Sequence, residues 1–240
     1  MDITKLTRPD RKLLPLKTCG AVIVAAGNAS RMGGIDKVMA QLKGEPMIAR
    51  TVRTFQDCDA ISEIVIVTRP DLILPITDLT RSMSKVRAVV AGGKSRQESV
   101  NLGLNALSDK VKLAAIQDGA RPLITWQVID RVVRAAHTHG AAIPCIHVKD
   151  TIKVGNGGLV KETPDRATLF AAQTPQVFDF DLLRGALKKA ELEEYAVTDD
   201  ASAVEYLGMK VKIVEGDERN IKVTTPMDLK IAEMLLEELE

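Results

Sequence analysis

The sequence predicts an α/β fold: a Rossmann-like, mostly parallel central sheet with helices on both faces and a protruding β-arm. Short apolar runs rich in Val, Ile and Ala alternate with amphipathic runs over residues 19–140. Glycine-bearing loops follow the first and third of those runs. A Gly-rich turn between two alternating segments then breaks the pattern. Strands covered on both faces read as continuous apolar runs, and strand–helix alternation implies parallel strands joined by right-handed crossovers.

Each element has its own signal. AVIVAA at 21–26 reads as the first buried strand. Residues 46–56 read as a helix with Pro46 near its first turn. EIVIVT at 63–68 is a second strand, and Pro70 and Pro75 shorten or break the helix that follows. Residues 86–91 form a third strand. Residues 95–107 read as a helix opened by a capping box, Ser95 with Glu98. Residues 112–117 give a fourth strand, and 125–139 a helix capped by Thr125 and stopped by Gly140. Gly155-Asn156-Gly157-Gly158 between alternating segments marks a hairpin, read as an arm over about 148–172. Helices resume near Asp181 and Asp199, residues 210–215 form a strand, and Thr225-Pro226-Met227-Asp228 starts the last helix.

The chain has 240 residues, which suits one α/β domain over 19–240 behind a flexible leader at 1–18. That leader carries five basic residues up to Lys17 and no long apolar stretch, unlike a signal peptide or a membrane span. A formal net charge of +1 gives no reason to expect nucleic acid or membrane as partner. Cys19, Cys58 and Cys145 are odd in number and far apart, so neither a disulfide framework nor a zinc site is expected, and a cytoplasmic location fits.

In open parallel sheets, ligands sit beyond the carboxyl ends of the strands. Four segments lie there. Ala25-Ala26-Gly27, followed by Arg31 and Lys37, joins a glycine-bearing loop to two cations and suits phosphate binding. Gly92-Gly93-Lys94-Ser95-Arg96, with Ser99, gathers backbone N–H groups at a helix start. Asp118 in Asp118-Gly119-Ala120-Arg121 is a hard oxygen donor suited to Mg²⁺; the other reading is an ion pair with Arg121 inside the turn. Lys222 precedes the last helix, either as a further phosphate cation or as a surface charge. Rival motifs fail: Ala29 occupies the second glycine position of GxGxxG, Thr68-Arg69-Pro70 has no acid at the second strand's tip, and Ala88 stands where a Walker A loop needs its first glycine.

These residues carry a resemblance. The AAG…RMG loop with Lys37, GG…R…SV, DGARP, VKDTIK, QTPQ, TDDAS and NIKVTTP occur in order from about Gly20 onward. This pattern resembles the 2-C-methyl-D-erythritol 4-phosphate cytidylyltransferase family of isoprenoid precursor biosynthesis. The resemblance implies transfer of a cytidylyl group from CTP to the polyol phosphate, with release of pyrophosphate and a divalent cation such as Mg²⁺. It implies that Arg31, Lys37 and Lys222 stabilise the triphosphate and the transition state. The glycine loops and Ser99 correspond to cytidine contacts, with Arg96 in the same motif. Asp118 matches the carboxylate associated with metal and substrates, Arg166 and Thr174 match arm residues binding the polyol phosphate, and Thr198 lies near that substrate. It further implies a homodimer whose arms interlock, so that Arg166 and Thr174 serve the neighbouring subunit. Three positions depart from the family pattern: Ala29 for a frequent glycine, Asp36 for a frequent proline, and Gln117 for a frequent histidine. Asp36 beside Lys37 would weaken that cation. A ribitol 5-phosphate cytidylyltransferase shares much of the pattern. A nucleotide-binding module without turnover and a Rossmann oxidoreductase are the readings of other classes.

Overall fold

A computed structural model describes residues 16–27 and 38–237. Arg31 and Lys37, the departures at Ala29 and Asp36, and nearly all of the expected leader lie outside the described residues.

Strand β1 (Cys19–Ala25) is followed by a small hairpin of β2 (Gln41–Leu42) and β3 (Glu45–Pro46). Its two-residue turn, Lys43-Gly44, has both φ angles positive, at 50° and 79°. That is the twist a tight hairpin requires. Next come α1 (Met47–Gln56), β4 (Glu63–Thr68), α2 (Ile73–Thr80), β5 (Val86–Ala91), α3 (Arg96–Ala106), β6 (Leu113–Asp118), α4 (Trp126–His139) and β7 (Ala141–His147). The second half holds β8 (Val154–Asn156), β9 (Leu159–Glu162), β10 (Phe170–Ala172), β11 (Gln176–Asp179), α5 (Phe180–Leu192), α6 (Asp200–Tyr206), β12 (Lys212–Glu215) and α7 (Pro226–Glu237).

The main sheet runs β5-β4-β1-β6-β11-β7, with β10 and β12 both pairing with β7. Strands β5, β4, β1 and β6 are parallel, and β12 is parallel to β7. Strand β11 is antiparallel to both β6 and β7. Period-two alternation sorts the side chains. Ala21, Ile23 and Ala25 point into one core with α1 and α4, while Val22, Val65 and Val67 point into the other with α3 and α5. Each fully buried Val, Ile or Leu contributes about 1.5–3 kcal/mol. Gly103 lets α3 lie directly on the sheet: a Cβ there would stand 2.3 Å from Val22 Cγ1 and 2.8 Å from Val67 Cγ2. Strands β8 and β9 form a separate, fully exposed hairpin.

Two caps differ from expectation. Glu98 Oε2 accepts from Lys94 N at 2.6 Å rather than from the cap residue's own N–H, while Ser95 Oγ accepts from Glu98 N as foreseen. Thr125 makes no side-chain cap bond at α4. A reciprocal box that was not foreseen opens α6, where Asp199 and Ser202 satisfy each other's backbone N–H groups.

Candidate active site

The tips of β6, β1, β4 and β5 open into one cavity of about 540 Å³. Its wall is built from Ala25–Gly27 after β1, Thr68–Pro70 after β4, Gly92–Arg96 after β5, and Asp118 at the end of β6. Lys222 and Thr224 close it from the segment before α7. That volume suits a bound small molecule, and the position is where parallel sheets hold theirs.

Asp118 is the electrostatic centre. Lys222 Nζ lies 2.8 Å from its Oδ2, Arg121 Nε 3.6 Å from Oδ2, and Arg96 Nε 3.9 Å from Oδ1. Burial pushes the Asp118 carboxyl up, but Lys222, Arg96 and Arg121 together outweigh it and hold it below the usual carboxylate range. Behind it, Arg96 Nη2 donates to Asp200 Oδ2 at 2.6 Å. Burial raises the Asp200 carboxyl while Arg96 opposes that rise. Burial lowers the Arg96 guanidinium, but Asp200 and Asp118 more than compensate, so it stays firmly protonated. Within this cluster on the cavity floor, three cations face two carboxylates, an excess of one positive charge, while Arg69 and Lys94 also line the cavity.

Gly92 is required by close packing, whereas a side chain at Gly93 would have to displace only the Glu98 side chain. A Cβ at Gly92 would stand 2.4 Å from Ala26 Cβ, and one at Gly93 2.3 Å from Glu98 Cγ. Ser99 lines the cavity, yet its hydroxyl already donates to Ser95 O at 2.9 Å and accepts from Gly93 N at 3.1 Å. It therefore shapes the glycine loop.

The structure brings Ala25, Ala26, Gly27, Gly92, Gly93, Arg96, Ser99, Asp118 and Lys222 to one cavity. Thr198 is exposed and lines a smaller recess of about 230 Å³ that shares Ser95 and Arg96 with it. Arg166 lies elsewhere: it is exposed, its Nη1 donates to Lys149 O at 2.7 Å, and its groove shares no lining residue with the main cavity. Thr174 is buried against its own chain's Asp118, whose N–H donates to Thr174 Oγ1 at 3.1 Å, so within the chain it stands beside the carboxylate of this cavity and apart from the exposed hairpin. The reason is the course of the chain: β11 starts two residues later and pairs with β6, which ends in Asp118.

Sequence reasoning passed over Asp200, Asn220 and Gln173, and left Arg121 as an alternative partner for Asp118. Arg121 lies within ion-pair distance of Asp118 and donates from Nη1 to Asn220 O at 2.6 Å. Asp200 stood inside the TDDAS motif, but nothing in the sequence says which of its two aspartates is buried. Gln117 is fully buried and does not line the cavity, with neither amide atom bonded among the described residues.

The family profile described as "IspD: 2-C-methyl-D-erythritol 4-phosphate cytidylyltransferase" matches residues 19–238. A 2-C-methyl-D-erythritol 4-phosphate cytidylyltransferase from Symbiobacterium thermophilum is 44% identical over 219 residues, covering 90% of this chain and 92% of the relative. One of the same name from Geobacillus kaustophilus is also 44% identical over 219 residues, covering 90% and 96%. Among solved structures, 4-diphosphocytidyl-2C-methyl-D-erythritol synthase from Anaerococcus prevotii superimposes with a TM-score of 0.84 at 31% identity, covering 92% of this chain and 96% of that one.

Proposed function

Because the chain belongs to the 2-C-methyl-D-erythritol 4-phosphate cytidylyltransferase family, we propose that it transfers the cytidylyl group of CTP to 2-C-methyl-D-erythritol 4-phosphate and releases pyrophosphate. The observation that carries this reading is the convergence of Lys222, Arg96 and Arg121 on Asp118 beside two glycine loops.

The polyol phosphate attacks the α-phosphorus of CTP in line, and pyrophosphate leaves. A phosphate monoester with a second pKa near ~6 is already an anionic nucleophile at neutral pH, so no side-chain base is needed. The obstacle is repulsion between two polyanions. One unit charge pair at 4 Å contributes on the order of 4 kcal/mol at an effective dielectric of about 20. Each ~1.36 kcal/mol removed from the barrier is about tenfold in rate, so a few fixed cations supply much of the acceleration. Lys222 acts as a point charge and Arg96 as a planar fork. Arg31 and Lys37 follow the first glycine loop in sequence and would add to the single excess positive charge of the cluster around Asp118.

The donor set fits a hard divalent cation. No group of three His, Cys, Asp or Glu exists among the described residues, so any ion would be held by Asp118 together with phosphate oxygens. Mg²⁺ accepts that arrangement, and when bound it supplies charge neutralisation at the phosphates. Both carboxylate oxygens already face cations, Oδ2 toward Lys222 and Arg121 and Oδ1 toward Arg96 at 3.9 Å, so an ion there would share Asp118 with these side chains. A homodimer with exchanged arms is supported by Leu159 and Val160, which are 76% and 63% exposed on the hairpin. Three buried free cysteines support a reducing, cytoplasmic setting. No helix among the described residues is long and apolar enough to cross a membrane.

Pyrophosphate release, measured over a panel of nucleoside triphosphates and polyol phosphates, tests the proposal. Release is expected with CTP and 2-C-methyl-D-erythritol 4-phosphate. Preference for ribitol 5-phosphate would change the acceptor, and no release with any pair would reject turnover.

A further inference from the structure

The segment 216–222 joins β12 to the approach of α7 without helix or strand of its own. Left untethered, such a segment would sample many conformations, since each ordered residue costs about 1–2 kcal/mol of backbone entropy. Yet it delivers Lys222 Nζ to within 2.8 Å of Asp118 Oδ2.

Besides Arg121, whose Nη1 donates to Asn220 O at 2.6 Å, what holds it is Gln173. The side chain is 4% exposed, and its Nε2 donates to Asp217 O at 2.7 Å while Asp217 N donates back to Oε1 at 3.2 Å. The amide thereby pairs with both backbone groups of Asp217, as a neighbouring strand would. Gln173 is itself anchored, since its N–H donates to Pro144 O on β7 at 2.8 Å. Asn220 extends the clamp: fully buried, its Nδ2 lies 3.4 Å from Gln173 Oε1 and donates to Thr174 O at 2.9 Å. Gly216 permits the approach, because a Cβ there would stand 2.5 Å from Gln173 Oε1. Two residues beyond Asn220 comes Lys222.

We infer that Gln173 is a positioning residue that fixes Lys222 against Asp118; its importance for turnover rests on the function proposed above. Val223 N, donating to Ala120 O at 2.9 Å, tethers the segment from its other end. Loss of Gln173 therefore loosens Lys222 without detaching it.

Two readouts test this, and the first needs no turnover. Acylation of lysine amines, followed by mass spectrometry, reports how free Lys222 is relative to exposed Lys112 of the same chain. In Gln173→Ala the Lys222 rate should rise several-fold over that of Lys112. Gln173→Glu, which keeps the volume but sets a second oxygen against Asp217 O, should do the same and serves if the alanine variant does not fold. In the second readout, Gln173→Ala should lower kcat about tenfold in the wild-type background and by no further factor in a Lys222→Met background. An unchanged ratio of Lys222 to Lys112 labelling overturns the inference. So does an equal loss of kcat in both backgrounds, which marks a general structural role. Wild-type turnover in the same assay shows separately whether the function itself holds.

Discussion

Arg96 and Asp200 form an ion pair 2.6 Å long between the first turns of α3 and α6, with the carboxylate 1% exposed and the guanidinium a third exposed. The pair joins the glycine loop after β5 to the TDDAS segment. The Nε of the same guanidinium stands 3.9 Å from Asp118 Oδ1. A buried carboxylate without its cation is costly, and so is a cation deprived of its fixed partner.

Asp200→Ala should therefore cost stability and nucleotide binding together. Losing one partner of a buried pair costs about 3–5 kcal/mol; with Arg96 partly solvated, about 2 kcal/mol is expected. Thermal melting reads the first effect, and the KM for CTP should rise as Arg96 swings free. A variant with wild-type melting and wild-type KM would show that the pair holds neither helix nor loop.

Asp118 carries a pH signature. Its folded-state pKa lies below the unfolded value of about 3.9, so its stabilisation is fully present above that value and is lost as pH falls through the folded pKa. The difference in stability between wild type and Asp118→Asn should be constant from about pH 7 to 5 and shrink below about pH 4. Denaturant melts across that range measure it; a difference that grows on acidification would contradict the assigned charge balance. The same variant should need more Mg²⁺ for turnover, and an unchanged requirement would remove Asp118 as its ligand.

Packing beneath the site should be equally sensitive. Gly103→Ala places a methyl against Val22 and Val67, so α3 must lift from the sheet. Overpacking of this kind costs about 1–3 kcal/mol. Because α3 carries Arg96 and Ser99, a fall in melting temperature should come with weaker CTP binding. Loss of stability with unchanged affinity would mean that the helix start is held independently of its middle.

The arm proposal is tested by mixing subunits. Arg166 on one chain and Lys222 on another should serve one site in an arm-exchanged dimer. A mixture of Arg166→Ala and Lys222→Ala chains should then recover up to about a quarter of wild-type activity, because half the dimers are mixed and each has one intact site. Absence of recovery, with dimers present by light scattering, would place every site within a single chain.

Much of the fold was legible because periodicity is local. EIVIVT and VRAVVA occupy the strands their patterns indicate, and residues 96–106 form the helix that Ser95 caps. Strand β11 was not read as a strand: Gln176–Asp179 is four residues long, too short for alternation to stand out. Its antiparallel insertion between β6 and β7 brings Thr174 under Asp118. The hairpin was readable from its glycines, with Gly157 and Gly158 both at positive φ.

By itself the sequence determined the strand–helix alternation, the glycine loops at the strand tips and the placement of Asp118 at a strand's carboxyl end. Those features depend on residues close together in the chain, where backbone preference and side-chain period act directly. Tertiary structure alone decided that Arg96 pairs with Asp200, that Lys222 meets Asp118, and that Gln173 holds the segment between β12 and α7. Those contacts depend on strand order and on which polar groups are buried together. Burial obliges such groups to find partners wherever the fold brings them, however distant in the chain.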